Sequence, residues 1–377
     1  MTDRARPLSF ADLGAQYRRL KPAIDARIQA VLDHGRFILG PEVAELEDAL
    51  AVYAGCAHAV GVASGTDALQ IALMGEGIGP GDAVFLPAFT FTATAEVVAL
   101  LGATPVFVDV DPRSFTIDCG DLARRLAALK DLRARAVIAV DLFGLPADYA
   151  ALRDLAGRHG LFLLADAAQS FGATLNGARV GTLAPVTALS FFPAKPLGCY
   201  GDGGALLTDD ADRAARYRSI RAHGKGDGKY DIERVGLNSR LDTLQAAILL
   251  AKLAAFDDDL TAREAVARRY DAALAGLVIT PHRTNRSRSA WAQYAILLDD
   301  RAAMVEFLKT RGVPTAVHYP RPLHRQPAYA HFANGPLPVS EMLCDRILSL
   351  PMHPDLDEAA SQRICAAVKE AVVAAGS

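Results

Sequence analysis

Residues 136–166 read AVIAVDLFGLPADYAALRDLAGRHGLFLLAD. Ala136 to Val140 is a short apolar run suited to a buried strand. Tyr149 to His159 carries apolar residues at helical spacing, and Leu161 to Asp166 is a second apolar run ending on a carboxylate. The order is strand, helix, strand. A run buried on both faces, followed by a helix and a second such run, points to parallel strands covered by helices.

The same alternation extends outward. Strands are expected at Ala59–Ala63, Ala83–Pro87 and Pro105–Asp109. Helices are expected at Leu20–Leu32, Glu42–Tyr53, Ala68–Met74, Thr92–Leu101 and Asp121–Leu129. Ala188–Phe192 and Gly204–Thr208 read as further strands of the same sheet. After about residue 210 the pattern becomes less regular. A long helix is expected near 243–260, then a strand at Ala292–Leu298, a helix at Ala302–Arg311, a strand at Val313–Tyr319 and a closing helix at Glu358–Ala374. His282–Ser289 reads as an exposed loop. The expectation is an α/β protein with a large, mostly parallel sheet domain over residues 1–250 and a smaller α/β domain over 251–377.

Composition narrows the function. The chain has 377 residues, 51% of them hydrophobic, with 40 Lys and Arg against 43 Asp and Glu. This balance makes no electrostatic case for a nucleic-acid partner. The five cysteines are widely spaced with no CxxC pair, which argues against a zinc site or a disulfide framework. Met1–Leu20 lacks the basic-then-apolar layout of a secretion signal, and no apolar run is long enough to span a bilayer. A soluble, cytoplasmic protein with no membrane or metal partner is expected.

Three features carry chemistry. Asp166 ends a buried strand, where ligands bind in open parallel sheets; alone it reads equally well as a helix cap. Lys195 lies in Ser190-Phe191-Phe192-Pro193-Ala194-Lys195-Pro196-Leu197-Gly198. Apolar enclosure favours its neutral amine, although a single lysine is more often a snorkelling surface group. Ser64-Gly65-Thr66-Asp67 joins a strand to a helix and offers N–H groups to an anion; alone it is an ordinary N-cap. In this order the three supply a phosphate anchor, a partner for a ring nitrogen and a Schiff-base amine, the needs of pyridoxal 5′-phosphate (PLP).

The chain resembles the DegT/DnrJ/EryC1/StrS family of PLP-dependent nucleotide-sugar aminotransferases, which share the type I, aspartate-aminotransferase-like fold. The resemblance rests on Phe37-Ile38-Leu39-Gly40-Pro41-Glu42-Val43, Ser64-Gly65-Thr66-Asp67-Ala68-Leu69, Pro87-Ala88-Phe89-Thr90-Phe91-Thr92-Ala93-Thr94 and Val108-Asp109-Val110-Asp111. It continues through Asp166-Ala167-Ala168-Gln169-Ser170, the Ser190 to Lys195 stretch, Gly201-Asp202-Gly203-Gly204-Ala205, Gly236-Leu237-Asn238-Ser239-Arg240 and His318-Tyr319-Pro320. These run in family order along nearly the whole chain.

The resemblance implies roles. Lys195 would bind the cofactor covalently and move the proton, and Asp166 would pair with the ring nitrogen. Phe89 would stack on the ring, and Gln169 would lie near its oxygen face. Gly65, Thr66 and Ser190 would hold the phosphate, joined by Asn238 from the neighbouring subunit of a homodimer. Arg240, His318 and Tyr319 would face the nucleotide sugar, and L-glutamate would be the amino donor. A lysine rather than a histidine at 195 implies amination rather than the family's dehydratase chemistry. An intact cofactor set with no DNA-binding module weighs against a non-catalytic regulator.

The stretch Lys195 to Gly204 is most similar to relatives that aminate a UDP-linked 2-acetamido-3-keto-glucuronate; a 4-keto-6-deoxy sugar on UDP or dTDP is the alternative. Two departures stand out: Pro196 where Asn is common, and Asp141 where many relatives carry His.

Overall fold

Seven strands form the central sheet in the computed structural model, which describes residues 7–228 and 230–375. They are β1 (His58–Val62), β2 (Asp82–Pro87), β3 (Thr104–Val108), β4 (Arg133–Val140) and β5 (Phe162–Asp166). A small pair outside the sheet, β6 (Thr174–Leu175) and β7 (Ala178–Arg179), precedes β8 (Val186–Ser190) and β9 (Gly204–Thr208). The sheet order is β1-β9-β8-β5-β4-β2-β3. From β3 to β8 the pairs are parallel, whereas β9 is antiparallel to both β8 and β1. The reason is local. Residues 191–203 contain no crossover helix, and a parallel return requires one.

Alternate strand residues face opposite sides, and both sides are covered. Phe85, Val137 and Leu163 pack against α2 (Pro41–Ala54), α5 (Cys119–Ala128), α6 (Tyr149–His159) and α8 (Thr243–Leu253). Their neighbours Val84, Ile138 and Leu164 pack against α3 (Gly65–Gly75), α4 (Ala93–Leu100) and α7 (Ala211–Ile220). The first helix, α1 (Leu13–His34), lies against α8.

The long helix expected near 243–260 is two helices. It breaks at Ala254–Ala255, where α9 (Phe256–Leu274) begins with Asp257, Asp258 and Asp259 in its first turn. Negative charge there favours a new helix N-terminus. The C-terminal part then builds on a two-stranded antiparallel sheet, β11 (Tyr294–Leu297) with β12 (Ile347–Leu350). This sheet packs with α9, α10 (Arg301–Thr310) and α12 (Glu358–Ala375) around Tyr270, Trp291, Ile296, Leu348 and Val368. Leu8, near the start of the chain, joins the same cluster.

Two expectations are corrected. Val313–Tyr319 is not a strand and makes only a bridge from Ala316 to Ser349. Pro314 within it and Pro320 directly after it lack the N–H that a ladder needs. In the segment read as an exposed loop, Ser287–Arg288 forms β10 and pairs with β6.

A side chain from the sheet fixes one C-terminal helix. The N-cap residue of α11 (Pro338–Arg346) is Leu337, which has no oxygen to offer. Asp109, just beyond β3, takes that role. It accepts from Val339 N–H at 3.0 Å, Ser340 N–H at 2.8 Å and the Ser340 hydroxyl at 2.6 Å. The helix places Leu343 and Cys344 in the aromatic cluster above the strand ends. Replacing Asp109 with Ala removes this cap and should cost about 2 kcal/mol of stability. The check is a lower urea midpoint relative to the unmodified chain, with Ser340→Ala, which loses only the hydroxyl bond, falling between the two.

Candidate functional site at the strand ends

Asp166 closes β5 at the carboxyl end of the sheet, in register with Val140 of β4 and Ala188 of β8. It is 7% exposed. Its Oδ2 accepts from the Thr94 hydroxyl at 3.0 Å, and its Oδ1 from Ala168 N–H at 3.3 Å. Burial raises its pKa; the two hydrogen bonds and the nearby Lys195 charge oppose that rise.

Lys195 sits in the segment between β8 and β9. That segment is tightly wound. Lys195 N–H donates to Phe192 C=O at 2.8 Å, and Cys199 N–H to Phe191 C=O at 2.8 Å. A Cβ on Gly198 would come within 2.5 Å of the Pro193 carbonyl oxygen. From α8, the buried Lys252 Nζ donates to Gly198 C=O at 2.6 Å, and Gln245 Oε1 accepts from Tyr200 N–H at 2.8 Å. Burial lowers the Lys195 pKa, and Asp166 partly restores it. Each group therefore limits the neutralisation of the other.

The turn into α3 lies beside them. Ser64 Oγ caps Asp67 N–H at 3.1 Å. The first N–H groups of a helix have no partner within it, which leaves those of Gly65 and Thr66 available to an anion. A Cβ on Gly65 would lie 2.6 Å from Ser190 Cβ, and one on Gly204 would lie 2.4 Å from Ser64 C=O. The missing methyl groups let three chain segments meet at one helix end.

Aromatic rings form the opposite wall. Phe89 is 1% exposed. It meets Phe115, Phe143 and Tyr319 edge-on, with interplanar angles of 71°, 80° and 71°. Gln169 Oε1 accepts from Phe143 N–H at 2.6 Å, while its Nε2 faces the Tyr319 hydroxyl at 3.4 Å. Burial raises the Tyr319 pKa, as does the neighbouring Asp166. The His318 pKa is lowered by burial and by Lys195. His318 is thus held in the neutral form, with Nδ1 3.3 Å from Ser349 Oγ.

Lys195, Asp166, Phe89, Gln169, His318 and Tyr319 are accordingly linked by contact or charge into one group, while Gly65, followed by Thr66, meets Ser190 at the end of β8, the strand next to β5. Asn238 and Arg240 line a different cavity of about 430 Å³, with Ile38, Ala63, Gly201 and Gln245. Asp202 and Asp242 line it as well. There Asn238 Oδ1 accepts from Arg240 Nη2 at 2.6 Å, and the Arg240 Nε is buried without a hydrogen bond.

The sequence reading assigned no role to Thr94 and noted Asp141 only as a departure. Asp141 is 0% exposed and follows β4 directly. Burial pushes its pKa up to about 7 against three hydrogen bonds. An available signal was that two adjacent apolar runs both end on Asp. Among the described residues no group of His, Cys, Asp or Glu is placed to hold a metal ion, and no helix is long and apolar enough to cross a membrane.

Comparison with known proteins agrees with this arrangement. Residues 18–369 match the DegT/DnrJ/EryC1/StrS aminotransferase family. The chain is 50% identical to the UDP-2-acetamido-2-deoxy-3-oxo-D-glucuronate aminotransferase of Pseudomonas aeruginosa, over 96% of this chain and 99% of that one. It is 43% identical to the dTDP-3-amino-3,4,6-trideoxy-alpha-D-glucose transaminase of Streptomyces venezuelae, over 96% and 95% of the two chains. A crystal structure of a DegT DnrJ EryC1 StrS aminotransferase from Brucella abortus superposes with a TM-score of 0.95 at 51% identity, covering 96% of this chain and 99% of that one. With Lys195 and Asp166 interacting as charges at the sheet's carboxyl edge, and a match over almost its full length, this chain belongs to the DegT/DnrJ/EryC1/StrS aminotransferase family.

Proposed function

We propose that this chain is a PLP-dependent aminotransferase that converts a nucleotide-linked keto sugar to the amino sugar with L-glutamate as donor. The observation that carries the reading is the charge interaction of Lys195 with Asp166 at the sheet's carboxyl edge, with the Gly65 helix end against Ser190 of β8. The residues fit the cofactor. The glycines at 65 and 204 let α3, β8 and β9 meet closely, which brings the free Gly65 and Thr66 N–H groups to the end of β8, where a phosphate can be held. The Lys195 amine is biased towards its neutral, nucleophilic form. Bound there, PLP supplies the electron sink that lets an amino group leave the donor and reach the keto carbon.

The chain's own residues do the rest. Asp166 places a carboxyl group where a ring nitrogen needs its proton, and Thr94 holds it in place. Released as a free amine, Lys195 takes and returns the proton at the reacting carbon. Phe89 and Tyr319 exclude water from that side. Gln169 presents an N–H donor, since its oxygen is occupied.

For the acceptor we propose UDP-2-acetamido-3-keto-glucuronate, by likeness to the Pseudomonas aeruginosa relative. Arg240, with an unpartnered Nε, suits an anionic sugar nucleotide. A 4-keto-6-deoxy sugar on UDP or dTDP remains the alternative acceptor. We further propose a homodimer in which Asn238 serves the partner's site. Phe37, Ile38, Leu39, Ile232 and Val235 are exposed apolar side chains, as an interface would require.

Three outcomes are expected. First, borohydride-trappable attachment of PLP to Lys195 should speed up with pH, with a midpoint below the ordinary lysine value of 10.5. Asp166→Asn removes the charge that raises Lys195 and should move this midpoint lower still. Lys195→Ala should stay colourless and lose at least about a thousandfold in turnover; normal turnover by that variant refutes the assignment. Second, the pyridoxamine form mixed with a panel of keto sugars should regain its aldehyde absorbance with the UDP-linked 3-keto acid; recovery with 4-keto sugars alone selects the alternative. Third, mixing Lys195→Ala with Asn238→Ala chains should restore roughly a quarter of normal activity through hybrid dimers with one intact site; no restoration refutes the shared site.

A further inference from the structure

Gln169 is gripped by two segments that are distant in sequence, and both lead back to one buried carboxylate. Asp141 follows Val140, the register partner of Asp166, and is wholly buried. Its Oδ1 accepts from Ala147 N–H at 2.9 Å and from the Tyr149 hydroxyl at 2.8 Å. Its Oδ2 accepts from the Ser170 hydroxyl at 2.8 Å. Ala147 and Tyr149 end the loop that begins at Leu142. Ser170 directly follows Gln169. The carboxylate thus ties the far end of one loop to the near end of another.

The two tied segments meet at Gln169. Phe143, inside the loop, donates its N–H to Gln169 Oε1 at 2.6 Å. A backbone N–H can only donate, so the carboxamide oxygen must face it and the NH₂ must face the Tyr319 hydroxyl. The loop needs holding to make this contact. Phe143 has φ of 60° and Gly144 of 104°. A left-handed non-glycine residue persists where its surroundings impose it. Ala290 N–H binds Gly144 C=O at 3.0 Å on the outside, and Asp141 holds the inside.

We propose that Asp141 is a positioning residue that sets the orientation of the Gln169 carboxamide by clamping the Leu142–Tyr149 loop to Ser170. The value of that orientation for catalysis rests on the reading above, in which Gln169 faces the bound cofactor. The clamp itself does not. It also accounts for an acid at position 141: three donors converge there, and the two oxygens of a carboxyl group offer acceptor sites for all of them. Asn can mimic it in part. Its oxygen keeps Ala147 and Tyr149, while its NH₂ donates to Ser170 Oγ.

The test uses the cofactor-free protein first. Hydrogen exchange at the Phe143 amide should quicken about tenfold or more in Asp141→Ala and in the Tyr149→Phe/Ser170→Ala double variant, and stay within about threefold of normal in Asp141→Asn. Exchange in β4 and β5 should not change. The double variant answers the question if Asp141→Ala fails to fold. Unchanged exchange at Phe143 in a folded variant overturns the clamp.

In the PLP-loaded enzyme, Asp141→Ala and Gln169→Ala should each lower kcat about tenfold or more, yet together cost less than about twofold beyond Gln169→Ala alone. Losses that multiply would show that Asp141 does not act through Gln169. Failure of the wild-type chain to take up PLP would refute the proposed function, while the exchange result would still decide the clamp.

Discussion

Burying a carboxylate and an amine at the end of a covered sheet is the constraint on which the rest depends. The strands of the central sheet are buried on both faces over most of their length, so their ends lie in a largely desolvated edge. Desolvation pushes Asp166 and Lys195 towards their neutral forms, and mutual attraction pushes both back. The outcome is an amine that can act as a nucleophile and a carboxyl group that can still pair with a cation. Neither exposed counterparts nor an isolated buried pair without the Thr94 and Ala168 hydrogen bonds would meet both needs.

Much of the remaining architecture serves to hold that pair. The segment between β8 and β9 cannot drift, because Gly198 packs onto its own backbone and α8 grips it through Lys252 and Gln245. The Gly65 and Gly204 contacts draw α3 and β9 onto the same point. On the other side, the C-terminal strands β11 and β12 and helix α11 close over Phe89 and Tyr319. Asp109 and Asp141 follow strands β3 and β4 of that same edge, one capping α11 and one anchoring a loop. Strand-end carboxylates thus do three different jobs, according to which donors surround them.

Local pattern made the sheet legible. Ala136–Val140 and Leu161–Asp166 are apolar runs bounded by turns, and burial on both faces produces such runs. The errors fall where local pattern is ambiguous. Ile347–Leu350 is too short to tell a strand from a helix turn, and Val313–Tyr319 has strand composition but a proline inside it and another just after it. The break at Ala254–Ala255 lies in a continuous helical pattern and is marked only by the acidic run that starts α9.

The sequence by itself determined the layered α/β plan, the order of the Ser64–Asp67 turn, Asp166 and Lys195, and the family resemblance, because these lie in contiguous stretches with a fixed chemical sense. Only the tertiary structure decided which groups control Asp166 and Gln169. Thr94 is 72 residues from Asp166, and Asp141 is 29 from Ser170. Such pairings depend on how strands register and how helices pack, and no local propensity encodes them. For Lys195 the division is the same: its position could be read from the chain, but its lowered pKa comes from the burial that folding imposes, moderated by the carboxylate that folding brings to it.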